Sequence, residues 1–281
     1  MALGGTAIKP GAFEIVRFPG VAVFLHQGPD TPPPTGGTEG TVINHVGFIV
    51  PNVAEAVAKW KAAGVAVAPG NAGRTDQAWI MTGEGLKVEI LEDKSQTIPI
   101  RHHHVHFYVA ESAIPEMQAW YAKHFGAQPG KRGRNQAADV PGANLTFTKS
   151  DKPTIPTKGR HLDHIGFDVK DLVAFAKKLE AAGVPLERQI VARPDGSKLA
   201  FIKDPWGTLI ELNERPTPLS RSMVRKWFRS SRSVAVAAFA CAPAAAQNED
   251  QYPARPIRYI VASAPGGIAD ITPRVLAPRL S

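Results

Sequence analysis

Apolar and polar positions recur along residues 1–215 in a fixed unit of one strand, one helix and three further strands. The last copy shows it best. Leu162–Val169 is an apolar-rich strand, and Asp171 follows as a helix N-cap whose carboxylate can accept a backbone N–H. Leu172, Phe175 and Leu179 fall on one helical face, and Gly183 supplies the stop. Leu199–Ile202 reads as a strand, Asp204-Pro205-Trp206-Gly207 as a turn, and Thr208–Leu212 as the returning strand. The copy over residues 41–93 repeats this order, with Asn52 as cap and Val53, Val57 and Trp60 as the buried stripe.

The copies share residues as well as pattern, which marks an internal repeat. Ile43–Phe48 matches Leu162–Phe167; both helices end in Ala-Ala-Gly-Val, at Ala62–Val65 and Ala181–Val184. Both units close on Gly-x-x-x-Glu, at Gly85–Glu89 and Gly207–Glu211. A third copy aligns His103–Tyr108 with Asp163–Asp168, placing His104 on His164; its later strand puts Thr146 where the others have Glu. A fourth, partial copy aligns Pro19–Phe24 with Pro141–Thr146, with Phe24 at the carboxylate position. Leu3–Thr6 then reads as the end of a helix whose preceding strand is missing.

This pattern predicts an α+β protein of paired βαβββ modules. The expected division is a domain over 1–93, lacking its opening strand and helix, a linker over 94–100 containing Pro99, a domain over 101–215, and a tail over 216–281. Thr31–Gly40 and Asp151–Gly159 are expected to join modules within each domain. The truncated first domain should leave an unpaired sheet edge and so self-associate. The alternative is that the tail patches that edge. Ile257–Ala262 reads as a strand and Ala269–Leu280 as a Pro-interrupted helix, the element order of the missing piece.

Hydrophobic content of 43% and charged content of 21% fit a soluble globular protein. The single cysteine, Cys241, excludes an internal disulfide and a cysteine-based zinc cluster. The net charge of +8 is concentrated in the tail, where residues 221–281 carry most of the excess Lys and Arg. The body is nearly neutral, so no nucleic-acid surface is expected. Met223–Arg229 is basic, Val234–Ala242 apolar, and Ala244-Ala245-Ala246-Gln247 a small-residue cleavage pattern. Residues 223–246 thus follow the logic of a secretory signal peptide, though inside the chain. The apolar run is too short for a stable membrane span. The location is left open, with the cytoplasm as the default for the chain as written. Residues 217–250 are expected to lack a packed fold. Tyr252–Val261, Pro265-Gly266-Gly267 and Asp270 resemble the mature start of substrate-binding proteins of tripartite tricarboxylate transporters.

His45 and His164 in their His-x-Gly-Phe runs, Asp204-Pro205-x-Gly207-x-x-x-Glu211, and the repeat itself carry a second resemblance. Residues 1–215 resemble the vicinal oxygen chelate superfamily of glyoxalase I, bleomycin-resistance proteins and extradiol dioxygenases. The resemblance implies two vicinal-oxygen-chelate domains, in each of which two modules form a curved sheet around a metal. The ligands would come from the first and last strands of modules. The expected trio is His104, His164 and Glu211, a two-His, one-carboxylate set for Fe(II), Mn(II) or Zn(II) that leaves positions open for substrate. His102, His104 and His106 should share one strand face; His102, His103 and His106 are read as ordinary strand histidines. Thr146 leaves a glyoxalase-type set of two His and two carboxylates incomplete. The extradiol pattern is also incomplete, with Phe201 at its Tyr position and no His after His164. His45 and Glu89 are expected to be a half site, their partner His lying on the missing strand. The expected function is metal-assisted activation of a small oxygen-chelating substrate, and the alternative is a non-catalytic, drug-sequestering module.

Overall fold

Alternating apolar strands and capped helices fold as the residue pattern predicts, in a computed structural model that describes residues 3–8, 14–26, 33–83, 85–215 and 257–262. The first strands are β1 (Thr6–Ile8), β2 (Glu14–Phe18) and β3 (Val21–His26). The second unit holds β4 (Ile43–Val50), α1 (Val53–Ala62), β5 (Val67–Pro69), β6 (Gln77–Met81) and β7 (Lys87–Glu92). The third holds β8 (Arg101–Val109), α2 (Ile114–Phe125), β9 (Gln128–Arg132), β10 (Asn135–Val140) and β11 (Ala143–Lys149). The fourth holds β12 (His164–Val169), α3 (Leu172–Ala181), β13 (Leu186–Ala192), β14 (Lys198–Lys203) and β15 (Leu209–Glu214), and a last strand, β16, spans Ile257–Ala262. This is an α+β fold.

The expected helix caps form. Asn52 Oδ1 accepts from Glu55 N and Asp171 Oδ1 from Ala174 N, each at 3.0 Å. A carboxylate near the end of each last strand adds a second hold: Glu92 Oε2 accepts from Val53 N at 3.0 Å and Glu214 Oε2 from Leu172 N at 2.8 Å. Both satisfy helix N-terminal donors and complement the helix dipole.

The strands form two eight-stranded sheets. One runs β5-β6-β7-β4-β8-β11-β10-β9, the other β1-β2-β3-β16-β12-β15-β14-β13. At the centre of each, two first strands pair antiparallel, β4 with β8 and β12 with β16. Each also pairs parallel with the last strand of a unit, as in β4–β7, β8–β11 and β12–β15.

The pairing of units differs from the expected division at 94–100. The second unit shares a sheet with the third, and the fourth with β1–β3. Linker length gives the reason. Residues 93–100 suffice to turn β7 into β8 beside β4, held by Gln96 Nε2 donating to the Ile49 and Ile98 carbonyls at 2.9 Å. The Pro-rich stretches expected to join modules within a domain instead lead from one sheet to the other. They run side by side: Thr35 N donates to Gly159 O at 2.9 Å and Val42 N to Ile155 O at 3.0 Å.

Helix α2 ties the sheets together. Its Phe125 ring lies 4.7 Å from Phe167 of β12, and the buried Tyr121 hydroxyl donates to Asp204 Oδ2 at 3.0 Å. Asp204 also accepts from Trp206 N and Thr208 N at 3.0 and 2.7 Å, which explains the Asp-Pro-x-Gly turn. Gly207 is at φ 101° against Pro156, a conformation and a clearance that favour glycine.

Strand β16 occupies the edge that was expected to be open. It runs parallel to β3, with Ile260 opposite Phe24, and antiparallel to β12, with Ile260 opposite His164. The tail therefore supplies the first-strand position of the partial unit, as in the alternative reading. The signal-like stretch 223–246, Cys241 and Ala269–Leu280 lie outside the described residues. No helix among the described residues is long and apolar enough to cross a membrane.

Deleting residues 217–281 should reopen the β3–β12 slot. The expected result is a melting temperature lowered by roughly 5 °C or more, with concentration-dependent association by size-exclusion chromatography, since bare strand edges pair with other chains. A shortened protein as stable and as monomeric as the full chain would show that β16 carries no structural weight.

Candidate metal centre

The antiparallel register of β4 and β8 sets His45 opposite His106 and Gly47 opposite His104. Strand β7, parallel to β4, sets Glu89 opposite Gly47. Ligating atoms of His45, Glu89, His104 and His106 all lie within 4.8 Å of one another. Glu89 Oε2 is 3.4 Å from His45 Nε2 and 3.2 Å from His104 Nε2; His106 Nδ1 is 3.0 Å from His45 Nε2.

Local sequence features make room for this. A Cβ on Gly47 would fall inside van der Waals contact of the His104 ring, so glycine lets that imidazole cross β4. A ladder irregularity between Gly47 and Phe48 breaks strict alternation on β8. His102 pairs there with Phe48 and its ring stacks edge-on to Phe48 at 5.6 Å, away from the cluster, so the expected common face of His102, His104 and His106 holds only for the last two.

The outward atoms of the cluster are held. His45 Nδ1 is 2.8 Å from Asn44 Oδ1, which only accepts, so His45 carries its proton there and turns a lone pair inward from Nε2. His104 Nδ1 is 2.8 Å from His103 Nδ1. Glu89 Oε1 accepts from Gln77 Nε2. His106 Nε2 is 2.7 Å from Thr148 Oγ1. Such partners orient metal-binding imidazoles and raise their basicity. His104 Nε2 is buried and forms no hydrogen bond, its 3.2 Å approach to Glu89 lacking hydrogen-bond alignment.

Burial disfavours protons on several of these imidazoles. Burial lowers His45 to about 4, with the contact to Glu89 only partly offsetting it; burial lowers His106 to about 2 and His103 to about 4. Burial would raise Glu89, but the His104 and His45 contacts outweigh it and hold the carboxyl well below its usual range. Neutral His45 and the Glu89 carboxylate thus turn lone pairs toward one another's side of the cluster. Donors sharing one divalent ion at about 2.1 Å stand about 3.0 Å apart at right angles and about 3.4 Å apart tetrahedrally. Three of the donor pairs, at 3.0–3.4 Å, fit that requirement, in a group whose ligating atoms all lie within 4.8 Å of one another.

The expected trio is not brought together. His104 joins His45 and Glu89 on one sheet, whereas His164 and Glu211 form a pair on the other. His164 Nδ1 is 2.5 Å from Asp163 Oδ1 and its Nε2 3.2 Å from Glu211 Oε2. Burial opposes protonation, but the two carboxylates outweigh it and raise His164 above 6.5. His164 thereby holds its proton to higher pH than an ordinary imidazole, between the two carboxylates. Part of the contrast comes from one sequence position: Asn44 precedes His45, and Asp163, which helps raise His164, precedes His164. The register position that His104 takes opposite Gly47 is taken opposite Gly166 by Arg258. The reading of His45 and Glu89 as a half site therefore fails. Their partner is His104, and the same repeat alignment could have found it had the second unit been paired with the third. Thr146 lies opposite His106 and donates to Asn144 Oδ1 at 2.6 Å.

The cluster opens into a cavity of about 860 Å³ lined by Trp79, Tyr108, Phe147, Arg134 and Lys149, among others. Trp79 is fixed by Asn71 Oδ1 at 3.0 Å and covered by Lys87 Nζ at 4.4 Å from its ring centroid.

Residues 101–212 match the family model described as Glyoxalase/Bleomycin resistance protein/Dioxygenase superfamily. Among solved structures, a glyoxalase I mutant from Zea mays is similar over 76% of this chain and 84% of its own, at TM-score 0.61 and 18% identity. A dioxygenase-like protein from Bacillus subtilis is similar over 79% and 80%, at TM-score 0.53 and 14% identity. Glyoxalase I from Zea mays is similar over 69% and 73%, at TM-score 0.50 and 17% identity. At these identities the likeness is one of fold. No curated protein matches the chain in sequence.

In chelator-treated protein, histidine NMR should show His164 titrating above 6.5 and His45 only near 4. The raised His164 value implies stability that is full below about 6.5 and lost as pH climbs through the folded value. His164→Gln should flatten that part of the stability profile. His45 and His164 titrating together would overturn the contrast between the two sheets.

Proposed function

From a superfamily domain with this donor set, we propose a metal-dependent enzyme acting on a small oxygen-chelating substrate, with His45, Glu89 and His104 as its two-His, one-carboxylate ligands. The observation that carries this is the convergence of buried lone pairs, each backed by an outer hydrogen-bond partner, at the head of a cavity. A divalent ion held there supplies Lewis-acid polarisation of vicinal substrate oxygens. Imidazole-rich sets suit Fe(II) or Zn(II) better than Mn(II), which favours oxygen donors.

The remaining side chains fit substrate binding. Burial raises Tyr108, so its phenol stays an O–H donor at neutral pH. Arg134, in the turn between β9 and β10, makes no ion pair among the described residues and lines the cavity, which suits an acidic substrate. Trp79 and Phe147 add apolar wall. The aromatic lining also favours a second reading, a small-molecule binding module without turnover; metal-dependent product formation from a panel of hydroxy-carbonyl and catechol compounds separates the two.

Protein purified without a His tag should contain stoichiometric metal. His45→Ala and Glu89→Ala should lose it, while His164→Ala and Glu211→Ala should retain it. Chelation should lower the melting temperature by roughly 5–10 °C, as expected for a ligand at about 100 times its Kd. Equal metal in wild type and His45→Ala would sink the assignment.

A further inference from the structure

The repeat leaves the third unit without a last-strand carboxylate, and the chain has a replacement beside the gap. Thr146 is buried, spends its hydroxyl on Asn144 Oδ1, and lies directly across the β8–β11 ladder from His106. The His106 imidazole therefore begins one strand away from the missing ligand, at the same height in the sheet. Its Nδ1 reaches 3.0 Å from His45 Nε2, and its Nε2 is 2.7 Å from Thr148 Oγ1.

We propose that His106 is a fourth metal ligand through Nδ1, standing in for the carboxylate that Thr146 replaces. This rests on the three-ligand reading above. Two proton arrangements are open to His106. In one, Nδ1–H donates to His45 Nε2 and the Thr148 hydroxyl donates to Nε2. In the other, Nε2–H donates to Thr148 Oγ1 and Nδ1 turns a lone pair inward. The first needs the His45 Nε2 lone pair as acceptor, because His45 Nδ1 already donates to Asn44. Once that lone pair is given to a cation, a proton on His106 Nδ1 has lost its acceptor, and the second arrangement remains. His106 then matches His45 and His104, with one nitrogen inward and the other held by a neighbour. The 3.0 Å separation is also that of two donors at right angles on one ion.

The exchange of carboxylate for imidazole changes the charge of the site. A divalent ion with Glu89 as its one carboxylate ligand keeps a net positive charge, whereas a set with two carboxylates is neutral. The centre therefore favours anionic oxygen chelators, in keeping with Arg134 at the cavity.

The test is nitrogen counting on the full-length protein, with Cu(II) as the probe and electron paramagnetic resonance as the readout. Wild type should show three coupled nitrogens and His106→Ala two, with a Cu(II) affinity lower by at least about tenfold. Thr148→Val, which keeps the imidazole but removes its outer partner, should retain three nitrogens and guards against misreading a folding defect. An unchanged spectrum in His106→Ala overturns the fourth ligand while leaving the other three in place. Failure of wild type to bind Cu(II), or His45→Ala binding like wild type, overturns the underlying site instead.

Discussion

The antiparallel pairing of β4 with β8 is the constraint on which the centre depends. Each strand alone carries histidines with no function in common. Their register brings His45 against His106 and Gly47 against His104, and the parallel β7 adds Glu89 at the same level. A slip of one residue would turn these side chains to the opposite face. Gly47 is part of the same constraint, because the His104 ring occupies the space a side chain would need.

Two sheets of the same design hold similar residues in different electrostatic states. On one, Asn44 can only accept from His45, and burial keeps the imidazole neutral with its lone pair inward. On the other, Asp163 and Glu211 flank His164 and raise its pKa. A buried carboxylate needs a compensating charge or donors. Each finds an amide donor, Asn213 for Glu211 and Gln77 for Glu89, but Glu211 also has His164, whose pKa is raised, whereas Glu89 faces His45, which burial keeps neutral. The sheets thus divide into one whose central imidazole gives up its proton readily and one whose imidazole holds it.

The arrangement of the sheets follows from the connections. A short turn keeps β7 and β8 in one sheet, while two longer Pro-containing stretches pass side by side between sheets. Helix α2 then joins the layers through Phe125, Tyr121 and the buried Asp204 turn. Strand β16 fills the first-strand position beside β3, so that the central pairing of the second sheet mirrors that of the first.

The βαβββ units, their caps at Asn52 and Asp171, and the residue types of a metal set were legible in the sequence because they arise from local periodicity and a repeat. The recurrence of His and Glu at equivalent places also pointed to the residue types that gather on the first sheet. Which copies meet was not. His104 aligns with both His45 and His164, and alignment alone treats them as equal partners for it. That choice was decided by a turn at 94–100 short enough to lay β8 against β4, and by cross-connections long enough to carry the chain to another sheet. The effect of Asn44 against Asp163 likewise became visible only once burial had removed water as an alternative partner, so that the hydrogen-bond and charge partners around each histidine decide how firmly it holds a proton.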